Sequence, residues 1–115
     1  MNLDIKAKWV AALRSGKYIQ TTGLLRRSQP GDTLSHCCLG VLCDLAPEGE
    51  WASDSVYSHS KTDFSGGALP EGVVKWAGLS SNNPVVLAEP ARNLSDVNDS
   101  GATFDEIADI IEKEL

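Results

Sequence analysis

A chain of 115 residues with 42% hydrophobic and 23% charged residues has the length and composition of one globular domain with a core of its own. No apolar run approaches the roughly 20 residues needed to cross a bilayer, and residues 1–6 lack the charged-then-apolar plan of a signal peptide. A cytoplasmic location without a membrane partner is therefore expected, and a net charge of −6 with no recognised DNA-binding motif argues against direct DNA binding.

Residues 3–15 read as an amphipathic helix. Ile5, Trp9, Val10 and Leu13 recur at helical spacing, while Lys6, Lys8 and Arg14 fall on other faces. Asp4 suits the first turn, and Ser15-Gly16 is a stop signal. Residues 17–38 read as a β-hairpin. Tyr18, Ile19, Thr21, Thr22, Leu24 and Leu25 favour its first arm, and Thr33-Leu34-Ser35-His36 its return. Gln29-Pro30-Gly31-Asp32 is the turn between them. Gly23 within the first arm marks a bulge or the close approach of another backbone.

Leu39 to Ala46 is too apolar all round for a surface helix. It reads as a central buried helix ended by Pro47 and Gly49, although a short apolar run also fits a buried strand. Gly40 weakens the helix but lets a neighbour pack tightly. Residues 47–68 are rich in serine, aspartate and glycine. They read as a long surface loop anchored by Trp51, Val56 and Tyr57, with His59 exposed.

Residues 69–79 form a short helix, with Pro70 at its first position and Gly78 as its cap. Residues 80–84 are a turn, and Val85-Val86-Leu87 a short strand that Pro90 keeps from a central position. Thr103 and Glu106 make a capping box for a C-terminal helix with the apolar stripe Phe104, Ile107, Ala108, Ile111 and Leu115. The fold class expected is α+β, in one compact domain spanning residues 1–115.

Several segments carry a resemblance. They are Lys8-Trp9, Ala12-Leu13-Arg14-Ser15-Gly16-Lys17-Tyr18, Gln20, Gly23, Leu25-Arg26, Cys37-Cys38-Leu39-Gly40-Val41-Leu42-Cys43-Asp44-Leu45, Leu69-Pro70, Trp76-Ala77-Gly78-Leu79, Asn98-Asp99, Gly101 and Phe104 with Glu106-Ile107-Ala108-Asp109. Together the chain resembles a family of small uncharacterised proteins encoded by bacteriophages and prophages. The run around the cysteines is its most specific part. In that family the residue before the cysteine pair is usually aromatic; here it is His36. The resemblance implies life in the cytoplasm of a bacterial host cell and no particular chemistry.

The candidate chemistry clusters at the start of the cysteine-rich element. Residues 1–30 hold six basic side chains against Asp4 alone, while the other 85 residues hold four bases and fifteen acids. If the hairpin packs beside the first helix, Arg14, Lys17 and Arg26 could meet free amides near Cys37 and Cys38, with Asn98 and Asp99 completing the pocket. Arginine forks and helix N-termini are natural ligands for phosphate, so a small nucleotide-like anion would suit. The competing reading pairs Arg14 and Arg26 structurally with the acidic remainder.

Thiol catalysis through Cys37 or Cys38 is the enzymatic alternative, because a helix N-terminus favours the thiolate. His36 is a poor base for Cys37, since strand neighbours point to opposite faces. His59 or Asn98-Asp99 would have to complete such a site. Three cysteines, two of them adjacent, fit reduced thiols better than a disulfide framework. Zinc spacing is lacking around His36, Cys37, Cys38 and Cys43. Asp96, Asn98, Ser100 and Gly101 match the start of a calcium loop, but Ile107 stands where the bidentate glutamate belongs. An Asx-rich turn leading into the last helix explains that stretch better. The expectation is a non-enzymatic accessory protein, with counter-defence as a purpose, that needs no cofactor or metal. Its partner would be a host protein or a small phosphorylated ligand, and a homo-oligomer is compatible with the pattern.

Overall fold

The computed structural model describes residues 1–60, 63–86 and 90–115. Helix α1 (Leu3–Arg14) starts at Asn2, not Asp4: the Asn2 side chain accepts the Ile5 N–H at 3.0 Å. Ser15 ends the helix, and Gly16 follows at φ 74°. The expected stripe of Ile5, Trp9, Val10 and Leu13 is buried. The Trp9 indole N–H donates to the Cys38 carbonyl at 2.9 Å, so the ring is satisfied within the core.

The next sheet contains β1 (Ile19–Gln20), β2 (Arg26–Gln29) and β3 (Thr33–His36), in the order β1-β3-β2. The hairpin is β2–β3, and Gly31 and Asp32 both take positive φ in its turn. The expected first arm does not run unbroken. β1 instead pairs in parallel on the other side of β3. Gly23 turns the chain at φ 81°, and Leu25 leaves the sheet for the core. There the Leu25 N–H donates to the Gly66 carbonyl at 2.7 Å, and its carbonyl accepts the Cys37 N–H at 3.1 Å.

Helix α2 (Cys38–Leu45) is the central element, buried from Cys38 through Cys43. Ala46 is extended, as a residue before proline must be, and ends it. The helical alternative for this run is therefore the one adopted.

Residues 47–68, expected as a loop, are organised as an antiparallel meander of β4 (Glu50–Trp51), β5 (Tyr57–Ser60) and β6 (Asp63–Ser65). Trp51 lies opposite Tyr57, and their rings meet edge to face at 5.1 Å. That aromatic pair supplies what the polar composition does not.

Helix α3 (Glu71–Ala77) begins one residue later than expected, with Pro70 at the cap position. Proline offers no capping side chain; Asp63 accepts from the amides of Glu71 and Gly72 at 3.0 and 2.7 Å instead. Gly78 closes the helix in the left-handed conformation. Strand β7 (Val85–Val86) pairs antiparallel with β8 (Arg92–Asn93); the expected third residue, Leu87, lies outside the described residues.

Of residues 96–101, expected as an Asx-rich turn, the first four lie in helix α4 (Leu94–Asp99), with Ser100 as its C-cap. Helix α5 (Phe104–Glu114) carries the full capping box: Thr103 Oγ1 accepts from the Glu106 amide at 3.2 Å, and Glu106 accepts from the Thr103 amide at 3.0 Å. Helices α1 and α4 pack on α2, and α1 packs most extensively on α5. The architecture is α+β; the described residues hold five helices and three small sheets. No helix of the described residues is long and apolar enough to cross a membrane.

Candidate functional site

The entrance to α2 is a closed polar junction. Cys37 is the N-cap, and its Sγ accepts the Gly40 N–H at 3.4 Å. The next amide, of Cys38, donates to Asn98 Oδ1 at 3.2 Å. Asn98 is 1% exposed and fully engaged. Its Oδ1 also accepts from Gln20 Nε2 at 2.9 Å, and its Nδ2 donates to the Thr21 carbonyl at 2.8 Å and to Asp99 Oδ1 at 3.0 Å. Asp99 Oδ1 in turn accepts the Gly23 N–H at 3.1 Å. Cys37, Cys38, Asn98 and Asp99 are thus brought together as expected. They use their polar atoms on one another, on β1 and on the turn after it.

All three cysteines are free thiols and buried. Burial pushes each thiol above its ordinary value, Cys38 well above it. For Cys37 that outweighs the amides at the helix start, which act the other way. A thiolate nucleophile needs the opposite environment.

The expected basic residues do not join this junction. Arg14 lies on the α1–α5 edge, bonded to Asp109 and, at 3.0 Å, to Glu112. Arg26 donates to the carbonyls of Asp54 and Ser53 at 2.7 and 3.3 Å, and its guanidinium lies 4.2 Å from the centre of the Trp51 ring. Lys17 is exposed beyond the end of α1. The anion pocket expected from Arg14, Lys17 and Arg26 is therefore not assembled: two of the three are drawn to other acceptors, and Asn98 and Cys37 occupy the helix amides. The calcium-like stretch is also otherwise employed, with Ser100 Oγ donating to the Asp96 carbonyl at 2.6 Å. Among the described residues no group of three or more His, Cys, Asp or Glu could hold a metal ion.

His36 forms a second constellation, at the seam between the first sheet and the meander. Its ring meets Tyr18 edge to face at 5.0 Å and Trp51 at 5.8 Å. Asp44, from α2, accepts the Tyr18 hydroxyl at 2.7 Å and the Trp51 indole N–H at 3.1 Å. His36 is 6% exposed, and neither ring nitrogen has a hydrogen-bond partner. It is packed as an aromatic hydrocarbon would be. Burial lowers its pKa below the ordinary 6.5; the pull of Asp44 the other way is smaller, and Arg26 adds to the lowering.

A stability prediction follows from the sign of that shift. Above pH 6.5 the ring is neutral folded and unfolded. As pH falls, the unfolded chain takes up the proton first, so stability declines from pH 6.5 down to the lowered folded pKa. His36→Phe removes two unsatisfied nitrogens and should stabilise the fold by about 1–2 kcal/mol at neutral pH. It should also flatten the acid-side decline. Urea midpoints at pH 7.5 and 5.5 for both proteins measure this, and an equal decline in the variant would contradict it.

A third feature is the outer face of α1. Leu3, Ala7 and Ala11 recur every four residues on the flank of the helix next to Val10, and all are exposed, Leu3 to 75%. Beside them lies a hollow of about 420 Å³ lined by Leu3, Lys6, Ala7, Val10, Arg14 and Glu112. Ala11 borders this hollow and also a second, of about 390 Å³, where Lys17, Tyr18 and Leu45 form the far wall. This face is absent from the sequence-based expectations, which place Leu3 in the helix but on no side of it. The four-residue repeat of Leu3, Ala7 and Ala11 was the available signal.

The whole chain, residues 1–115, matches the family described as a domain of unknown function, DUF8296. The chain belongs to this family. No curated protein and no solved structure matches it. The site in this DUF8296 domain is accordingly read from its own residues.

Proposed function

We propose that this DUF8296 domain is a non-enzymatic accessory protein of bacteriophage or prophage origin, which acts in the bacterial cytoplasm by docking a host protein on the outer face of α1. The observation that carries this reading is the contrast between that face and the polar side chains expected to form a site. The thiols, Asn98, Asp99, Arg14 and Arg26 are directed into internal contacts, whereas Leu3, Ala7 and Ala11 form an open apolar strip that lines one hollow, with Ala11 also bordering a second. Apolar surface left uncovered beside polar rims is a common mark of protein–protein contact. The same contrast favours a protein over a small phosphorylated ligand as the partner. Counter-defence is a purpose consistent with such a blocking protein and rests on the resemblance to phage-encoded proteins.

The test is a photo-crosslinking residue at Ala11 of the full chain, expressed in bacterial cells, with a second at Asp32 in the hairpin turn as control. Discrete adducts at Ala11, absent at Asp32, are expected; equal or no labelling at Ala11 would contradict the reading. The thiol-enzyme alternative is checked by alkylating the native protein with iodoacetamide at pH 7.5. Modification is expected only as fast as the protein unfolds. Rapid labelling of Cys37 or Cys38 alone would restore the enzymatic alternative.

A further inference from the structure

We propose that His36 and Asp44 form an acid-operated latch on Trp51. A protonated His36 takes the Asp44 oxygen that otherwise accepts from the Trp51 indole, and Trp51 swings out of the seam with the turn behind it. The latch lies apart from the docking face on α1 and stands independently of it.

Four elements build the latch. His36 comes from β3, Asp44 from α2, Trp51 from β4, and Tyr18 from the segment before β1. Asp44 and His36 share two neighbours. Asp44 Oδ2 accepts the Tyr18 O–H at 2.7 Å, and its Oδ1 accepts the Trp51 N–H at 3.1 Å. The His36 ring meets those same two rings at 5.0 and 5.8 Å. The side chains that occupy the carboxylate are therefore the ones that enclose the imidazole.

A neutral imidazole here leaves two buried nitrogens without partners, a loss that a phenyl ring would avoid. Protonation sharpens the conflict, because a buried unpaired charge costs far more than an unpaired neutral group. Asp44 offers relief: it is exposed and carries the opposite charge. A charge-assisted bond from imidazolium to carboxylate is stronger than the neutral indole bond it replaces. The exchange is one for one. Oδ1 loses an indole N–H and gains an imidazolium N–H, while Oδ2 keeps Tyr18.

The other groups around His36 favour the same direction. Arg26, opposite His36 on β2, is a permanent cation and repels an imidazolium. Tyr18 stays a neutral phenol, its pKa raised by burial and by the bond to Asp44. Cys37, next in the chain, stays a neutral thiol, raised by burial. On β4, Glu50 alternates with Trp51 and lines a hollow with His59 and Phe64 instead. From the turn, Asp54 reaches the seam through its backbone carbonyl, which accepts from Arg26.

The moving piece is short. β4 is two residues long and pairs with β5 at Glu50–Ser58 and Trp51–Tyr57. The turn behind it is closed on itself, with the Ala52 and Ser53 amides donating to the Val56 carbonyl at 2.8 and 3.3 Å. Arg26 ties this turn to β2 through the Ser53 and Asp54 carbonyls and lies over the Trp51 ring. Repulsion between Arg26 and an imidazolium thus loosens the same piece. The rest of the meander has separate anchors. Tyr57 is buried and donates to the Ala46 carbonyl at 3.4 Å, and the Gly66 carbonyl accepts the Leu25 amide. Opening is therefore confined to residues 50–56, and the helical core stays closed around Trp9.

The test follows the three tryptophans by fluorine NMR, in the full chain labelled with 5-fluorotryptophan and titrated from pH 7.5 to 5.0. The Trp51 line is identified by its loss in Trp51→Phe. That line should move to a solvent-exposed position as pH falls, while the Trp9 line stays in place. Between the His36 pKa values of the closed and open states, the open-to-closed ratio should rise about tenfold per pH unit. His36→Phe keeps the ring packing and should hold the Trp51 line fixed over the whole range. Asp44→Asn keeps an oxygen for the indole but no charge for the imidazolium, and should cut the open fraction at pH 5.0 about tenfold. Movement of the Trp9 line in step with Trp51 would mean global unfolding and overturns the proposal. So does a Trp51 transition that persists in His36→Phe, or one that Asp44→Asn leaves unchanged. A Trp51 line that stays fixed in the parent down to pH 5.0 overturns it as well.

Discussion

Asn98→Ala is expected to cost about 3 kcal/mol or more of stability. The side chain is almost wholly buried and makes four hydrogen bonds, to Gln20, Thr21, Cys38 and Asp99. Truncation leaves the buried Cys38 amide and the half-buried Thr21 carbonyl without these partners. Each orphaned buried group costs about 1–3 kcal/mol. The Cys38 amide also loses its cap at the start of the most buried helix. Asn98→Asp is the sharper comparison. It keeps the acceptor for Cys38 and Gln20 but sets a second carboxylate oxygen against the Thr21 carbonyl and Asp99, so it should be as damaging as alanine. Urea unfolding measures both, and hydrogen exchange at the Cys38 amide locates the effect. A loss below about 0.5 kcal/mol for either variant would show that water replaces the side chain there.

Gly40→Ala should be the other severe substitution, against the direction that helix propensity gives. Alanine favours a helix interior over glycine by about 1 kcal/mol. A Cβ at residue 40, however, would lie 1.8 Å from the Leu25 carbonyl oxygen and 2.7 Å from its carbon. Both are backbone atoms, so no rotamer change relieves the overlap. Leu25 would have to withdraw from α2, breaking the bond from the Cys37 amide and straining the one from Leu25 to Gly66. The expected result is loss of the cooperative thermal transition, or a penalty of about 3 kcal/mol or more at the upper end of overpacking effects. Gly67→Ala is the control, since nothing lies within 4 Å of its Cβ position, and it should be nearly neutral. A Gly40→Ala protein as stable as the parent would mean that Leu25 is not held against the helix.

These two positions also show how far the sequence could be read. Gly40 was legible as a point of tight packing, because a glycine inside an apolar helix needs a reason; its neighbour Leu25 was not, because it had been assigned to a strand. Asn98 is a polar residue that no local pattern explains, and the sequence alone points it toward a ligand. Its partners Gln20, Thr21 and Cys38 lie 78, 77 and 60 residues away, and no local pattern encodes such pairings. α1, α2, α3 and α5 were readable from stop and cap residues such as Gly16, Pro47, Gly78 and Thr103 with Glu106. α4 was hidden because Asp96, Asn98 and Asp99 are weak helix formers. Burial of Leu94 and Val97 against the core overrides that weakness. The meander was hidden because strands of two to four residues are too short to show alternation.

The closest partnership in the fold joins α1 to α5, and the bond from Arg14 to Asp109 spans 95 residues. During synthesis, at about 5–20 residues per second, α1 emerges some 5–20 seconds before the helix that covers it. Throughout that interval Ile5, Trp9, Val10 and Leu13 have no α5 to pack on. Until then α1 has α2, but not α5, to cover it. A release of the chain before α5 would leave α1 greasy on two sides, a natural substrate for chaperones and proteases.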